Sequence, residues 1–337
     1  MKMSEPISIA GEIILPDEEK FIRLNVAKLY DFTDLSIPIC VLHGKYSGPK
    51  IFISSTIHGD EINGVEIIRQ LINKKLLPRL RGTLILVPVI NVYGYNNKSR
   101  YLPDRRDLNR SFPGSKKGSF ASRLAYTFMK EIVSQCQYGI DLHTAAINYN
   151  NLPQIRTFFH DSKTLELAKA FNAPITLASN VRDGSLRESA QAKGVRMLLY
   201  EGGQALRHDQ GAIKIGLRGC LSVLRYIGML GPLRSKSMDT ILLRGSIWFR
   251  APHSGSINLI KKLGDTIQKN DLLAIITDIF GREKIEIKST VDGILIGCCE
   301  LPLVNQGDAL FHIATLEDSK QLKKYQKSLI EESINQQ

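Results

Sequence analysis

Ile51-Phe52-Ile53-Ser54-Ser55-Thr56-Ile57-His58-Gly59-Asp60-Glu61 is the stretch from which the architecture of this chain reads most directly. A β-favouring run enters a turn, and the turn carries an imidazole and a carboxylate three residues apart. A short apolar run bounded by a turn signal reads as a buried strand. Beyond it, positions 63–75 place Val65, Ile67, Ile68, Leu71 and Ile72 at helical spacing. The alternation then recurs. Strands are predicted over 82–89, 138–142 and 195–200. Helices are predicted over 119–136 (Leu124, Phe128 and Ile132 on one face), 162–171 and 212–230. Strands alternating with helices predict an α/β fold with a mixed, mostly parallel sheet covered by helices on both faces.

On either side the pattern changes. Residues 1–48 alternate apolar and polar positions and read as a strand-rich lead-in packed on the α/β domain, which spans 49–234. From 235 to 318 helical periodicity stops and a β-rich domain with an internal repeat is expected. Gly255 precedes Ile267-Gln268-Lys269-Asn270-Asp271-Leu272, and Gly293 precedes Val304-Asn305-Gln306-Gly307-Asp308-Ala309-Leu310 at nearly the same interval. Two such halves make a small pseudo-symmetric β-barrel or sandwich. The pattern resembles a biotinyl/lipoyl domain, but the turn around Lys284 lacks the Met flanks of a modified carrier lysine, so no adduct is expected there. Residues 319–337 form a polar tail.

The chain has 337 residues, 43% hydrophobic and 23% charged, which is ordinary for a globular protein with a large core. No apolar run reaches the ~20 residues of a membrane span, and the first residues lack a secretory signal's apolar stretch. The five cysteines have no framework spacing, which suits a reducing, cytoplasmic setting. The adjacent pair Cys298-Cys299 reads as two small apolar residues on opposite faces of a strand. Net charge is +12, yet Lys and Arg are dispersed without an aromatic-interleaved stripe, so nucleic acid is not the expected partner. A basic surface equally steers a small anionic substrate.

The chemistry-bearing residues fall at strand ends. His58 and Glu61 follow the first sheet strand, His143 ends the strand over 138–142, and Glu201 ends that over 195–200. In an open α/β sheet ligands bind outside the carboxyl ends of the strands, so these four should converge. Two histidines and a carboxylate are a typical catalytic zinc set that leaves one position for water. Gly59 permits the bend between them. The bland alternative is a satisfied loop histidine with a first-turn glutamate at a helix N-terminus. Asp141 could brace a ligand from behind, although read as an alternate-face position it serves equally as a loop anchor. Asn109 and Arg110, in Asp107-Leu108-Asn109-Arg110, suit recognition of a carboxylate, against the alternative of a loop-stapling ion pair. Arg100 could stabilise an oxyanion. Arg156 and Arg187 are further cations, each more ordinary as a surface charge. Glu201, followed by two glycines that let backbone and substrate approach, is the general-base candidate; its alternative is a loop carboxylate paired with an arginine.

Taken together, His58-Gly-Asp-Glu61, Arg100, Asp107-Leu-Asn109-Arg110, Asp141-Leu-His143 and Glu201 make the run 49–230 resemble the succinylglutamate desuccinylase/aspartoacylase family, a branch of the zinc-carboxypeptidase fold. The β-rich C-terminal part is similar to that of longer bacterial members. The resemblance implies one Zn2+ per chain on His58, Glu61 and His143, Glu201 as base and proton shuttle, and Arg100 at the oxyanion. It implies Asn109 and Arg110 on the substrate carboxylate, with Arg187 as a second anion-binding arginine. The Arg187–Glu201 interval is longer than in aspartoacylase, and the tyrosine that some members supply from their C-terminal region has no matching position. The implied reaction is deacylation of a small anionic N-acyl amino acid, with no nucleic-acid or membrane partner. Rival readings are a zinc carboxypeptidase acting on short peptides and a non-catalytic module with a degenerate metal site. Oligomeric state is open, with a symmetric homo-oligomer common among small enzymes.

Overall fold

The computed structural model describes residues 2–159, 161–180, 182–232, 240–317 and Tyr325. The expected domain boundary at 234/235 and, Tyr325 apart, the tail over 319–337 lie outside these or at their edge. At the centre four parallel strands lie side by side in the order Arg81–Val87, Tyr46–Ser55, Tyr138–Ala145, Arg196–Gln204. Their inner positions are almost all buried, apolar over most of their length and polar toward the carboxyl ends, where Ser54, Asp141, His143 and Glu201 lie. One face is covered by the helix Phe120–Glu131, whose Leu124 and Phe128 pack on Phe52, Ile85 and Val87. The other face carries the helices Asn63–Asn73, Ser162–Phe171 and Gln210–Tyr226 over Ile51, Ile53, Leu84, Leu86 and Ile140. This is a mixed α/β fold of the expected class.

Antiparallel strands extend the sheet both ways. Asp34–His43 and Glu18–Lys28 follow beyond Arg81–Val87. On the opposite side Tyr149–Thr157 runs antiparallel to Arg196–Gln204, then parallel to the short strand Ile175–Ala178. The C-terminal β segments continue that side, because Gly293–Cys299 pairs with Tyr149–Thr157 and places Gly297 opposite Asn151.

The internal repeat appears as interlocked halves. Gly255–Leu259 pairs with Leu272–Thr277, and Gly293–Cys299 with Ala309–Thr315. Each half lends a two-residue strand to the other: Thr266–Ile267 pairs with Gly293–Cys299, and Leu303–Val304 with Gly255–Leu259. The turns match in detail. Asn270 (φ 73°) and Gly307 (φ 90°) take the same left-handed position. The aspartate after each, Asp271 and Asp308, accepts a backbone N–H three residues upstream, at 3.1 and 2.8 Å. Asn and Gly are the residues that tolerate that conformation, which is why the repeat is legible as N/G-D.

Several boundaries move. The first strand begins at Tyr46 and stops at Ser55, where Thr56 turns left-handed (φ 49°). Helix 119–136 divides into Phe120–Glu131 and a 3-10 turn Val133–Gln135. His143 and Glu201 lie inside their strands, which run on to Ala145 and Gln204. Tyr149–Thr157 is a strand that periodicity does not predict.

Candidate active site

His58, Glu61, His143 and Glu201 sit in or directly after strands of the parallel core, whereas Arg100 comes from a loop, Asn109 and Arg110 from the 3-10 turn Leu108–Arg110, and Arg187 from the helix Leu186–Ala192. After Ser55 the chain turns at Thr56 and sends His58 and Glu61 toward the neighbouring strand. Gly59 is needed here for close approach and not for the bend: a Cβ on it would stand 2.1 Å from the Gly94 carbonyl carbon. Past Glu201, Gly203 takes a left-handed conformation (φ 80°), while a Cβ on Gly202 would meet the Tyr200 hydroxyl at 2.7 Å.

His58, Glu61 and His143 offer ligand atoms that all lie within 4.8 Å of one another, and all three are buried. His58 Nδ1 is 2.6 Å from Glu61 Oε1, and His143 Nδ1 is 2.8 Å from Glu61 Oε2. Both imidazoles therefore turn the same nitrogen inward. Each outward Nε2 meets an aspartate: His58 lies 3.1 Å from Asp107 Oδ1, and His143 lies 2.7 Å from Asp141 Oδ2. A carboxylate behind each imidazole fixes ring orientation and raises ligand basicity, the arrangement metal-binding histidines usually have. Asp141 can do this because residues two apart share a strand face, so the alternate-face reading is corrected. The donor set of two nitrogens and a carboxylate fits a divalent cation such as zinc.

The electrostatics agree. Burial pushes the His58 and His143 pKa values down, but Glu61 together with Asp107 or Asp141 more than offsets it, leaving both raised. Burial raises the Glu61 carboxyl, yet the two imidazoles hold it well below the ordinary carboxylate range. Asp107 is likewise lowered against burial by His58 and Arg100. The inward ring nitrogens and Glu61 thus share protons in a buried cluster, and a bound cation would take their place.

Arg100 spans this cluster, with Nη2 donating to Asp107 at 2.9 Å and Nη1 lying 3.4 Å from Glu61. Asp107 also accepts the Asn109 backbone N–H at 2.8 Å, which ties the clamp loop to the histidine brace. Asn109 Oδ1 accepts the Leu186 N–H at 3.0 Å. Glu201 lies opposite His143 in the strand register. It accepts Asn151 Nδ2 at 2.9 Å and stands 3.4 Å from Arg156 Nη1.

The eight residues read from the sequence as metal-ligating, catalytic or substrate-binding (His58, Glu61, Arg100, Asn109, Arg110, His143, Arg187, Glu201) line one cavity of about 360 Å³, together with Asp141 and Arg156. Arg187 takes part differently from the others. Its Nη atoms donate to the carbonyls of Arg156 (3.0 Å) and Asn180 (2.7 Å), and burial beside Arg156 lowers its pKa to about 10. Sequence reasoning gave no role to Asn151, Arg182 or Trp248, which also line the cavity. Arg182 has its pKa lowered by burial and by Arg110 and Arg156. Trp248 comes from the C-terminal strand Gly245–Arg250, stacked on His312 with ring centroids 4.3 Å apart and planes at 7°. It is the single tryptophan of the 337-residue chain, the one sequence signal that marks this position.

Comparison with known proteins gives the family and the fold. Residues 47–227 match the succinylglutamate desuccinylase/aspartoacylase catalytic domain. The chain is 27% identical over 297 residues to the N-alpha-acetyl-L-2,4-diaminobutyric acid deacetylase of Halomonas elongata, covering 84% of this chain and 86% of that one. Its fold is that of a succinylglutamate desuccinylase/aspartoacylase from Rhodobacter sphaeroides (TM-score 0.79, 24% identity, 88% of this chain and 95% of that). It is also that of an ectoine utilization protein from Ruegeria pomeroyi solved with product bound (TM-score 0.81, 23% identity, 89% and 95%). Over more than half its length, including every one of the eight site residues, the chain belongs to the succinylglutamate desuccinylase/aspartoacylase family.

Proposed function

We propose that the protein is a zinc-dependent deacylase that hydrolyses the amide bond of a small N-acyl amino acid. The observation that carries this is the buried His58–Glu61–His143 cluster sharing one cavity with Glu201. Family membership and the deacetylase relative support the reaction class. His58, Glu61 and His143 would hold one metal ion per chain. When bound there, a divalent cation would supply Lewis acidity toward the scissile carbonyl and would lower the pKa of water toward ~7.

The chain's own groups do the rest. Glu201 takes the proton of the attacking water and returns it to the departing amine nitrogen. Arg100, held by Asp107, presents positive charge to the developing oxyanion. Asn109 and Arg110 bind the substrate carboxylate, and Arg187 adds charge to that wall while its N–H groups hold the carbonyls around 179–180. A cavity of about 360 Å³ suits an amino-acid derivative better than a peptide chain. The interlocked β halves support a biotinyl/lipoyl-like reading of the C-terminal region, acting as a wall of the pocket and not as a carrier. A reducing cytoplasmic setting fits the five free, buried cysteines. Among the described residues no helix is long and apolar enough to cross a membrane.

The test is metal analysis of the purified protein, followed by a panel of N-acyl amino acids and dipeptides with a primary-amine readout. One zinc per chain and amine release from N-acyl amino acids are expected. Full activity in metal-free protein, or cleavage of dipeptides alone, would overturn the reading.

A further inference from the structure

We propose that Asn151 is a positioning residue for Glu201, and that the C-terminal β region fixes it in place through Gly297. This rests on the reading of Glu201 as the proton-transfer group. A carboxylate that moves a proton must keep one oxygen aimed at the reacting atoms, and free rotation about its χ angles works against that. Asn151 Nδ2 donates to Glu201 Oε2 at 2.9 Å, within a pair of buried side chains. Arg156 Nη1 stands 3.4 Å from the other oxygen, Oε1. Both partners come from Tyr149–Thr157, the strand adjacent to that of Glu201.

That strand is gripped from its far side. Gly297 of Gly293–Cys299 lies opposite Asn151, and Gln154 Nε2 donates to the Ile296 carbonyl at 3.2 Å. The pairing of Tyr149–Thr157 with the Glu201 strand shifts register between Glu201, opposite Gln154, and Gly203, opposite Asn151, so Asn151 is paired beyond an irregularity in that ladder and is held on its far side by Gly297. The absent side chain at position 297 leaves room for the Asn151 amide. A Cβ there would come within 2.9 Å of Asn151 Oδ1 and 3.2 Å of the His312 Cβ. The amide oxygen is thus backed by the Gly297 main chain, and its nitrogen is left facing Glu201. On this reading the C-terminal region does more than wall the pocket: it sets the orientation of the base.

The experiment compares the metal-loaded wild type with Asn151→Leu, Gly297→Ala, Glu201→Gln and the double variant Glu201→Gln/Asn151→Leu on one N-acyl amino acid substrate. Asn151→Leu keeps the shape and removes the donor; Gly297→Ala displaces the amide and tests the idea should Asn151→Leu fail to fold. Each is expected to lower kcat roughly ten- to a hundredfold, with KM and bound metal within about twofold of wild type. In the Glu201→Gln background Asn151→Leu should cost little more, since the group it positions is gone. Wild-type kcat in a folded Asn151→Leu or Gly297→Ala overturns the proposal. So does an undiminished Asn151→Leu effect in the Glu201→Gln background. Free turnover by Glu201→Gln alone instead marks failure of the base assignment itself.

Discussion

Glu201 and His143 are direct partners in the register of two parallel strands, so the candidate base and a candidate metal ligand are held by one ladder of backbone hydrogen bonds. Their separation is therefore set by the spacing of neighbouring strands and not by a loop. It follows that Glu201→Gln, which preserves shape and leaves His143 untouched, should lower kcat by roughly 10²- to 10⁴-fold while zinc content stays near that of the wild type. Turnover and metal analysis on one preparation check both halves. Loss of metal together with activity would show Glu201 to be structural.

The fold class and the His58–Glu61–His143 cluster were legible because their signals are local. Apolar runs, helical spacing and His-x-x-Glu survive in any context, and the rule that ligands gather at strand ends brings distant motifs together. The strand Tyr149–Thr157 was not legible. It contains Pro153 amid Asn150, Asn151 and Gln154, which argues against a central strand. The structure accommodates the proline beside the irregularity between Glu201 and Gly203. With that strand missed, Asn151 had no place near Glu201, and Arg156 remained a generic cation. Trp248 was hidden for another reason: its position in the pocket depends on C-terminal strands joining the main sheet, which no local pattern encodes.

Asp141 braces His143 through Nε2 at 2.7 Å and is itself held by the Ser54 hydroxyl at 2.8 Å. Asp141→Asn removes the charge and keeps the shape. Metal affinity should fall roughly 10- to 100-fold, measured by competition against a chromogenic chelator. An unchanged affinity would return Asp141 to the role of a strand anchor.

Trp248 is the chain's only tryptophan and, at 40% exposure, offers indole surface to the cavity. Its emission should therefore report occupancy directly. Titrating the slow Glu201→Gln variant with an N-acyl amino acid should shift or quench the fluorescence along a saturable curve. Trp248→Phe should raise KM about two- to tenfold, the size of a typical aromatic contact, with kcat little changed. A flat emission spectrum at substrate concentrations that saturate turnover would place the ligand away from this wall.

His312 predicts how stability responds to acid. Its ring is buried, Nε2 lies 2.9 Å from the Ser246 hydroxyl, and burial next to Arg156 and Arg182 lowers its pKa from 6.5 to about 3. The sign follows from proton binding. Above pH 6.5 the ring is neutral in folded and unfolded chains alike and stability is unaffected. Between 6.5 and about 3 the unfolded chain takes a proton that the folded ring refuses, so stability is lost as pH falls. The carboxylates of Glu61 and Asp107, held low by their cationic neighbours, lose stability in the same direction and are common to both proteins in a paired comparison. His312→Gln, which keeps a donor for Ser246, should therefore flatten the acid limb. From pH 7.5 to 4.5 the wild type should lose on the order of 2–3 kcal/mol more than the variant, read from urea midpoints at each pH. Parallel curves would mean that the folded protein admits the proton, and hence that the Trp248 wall opens to solvent in acid.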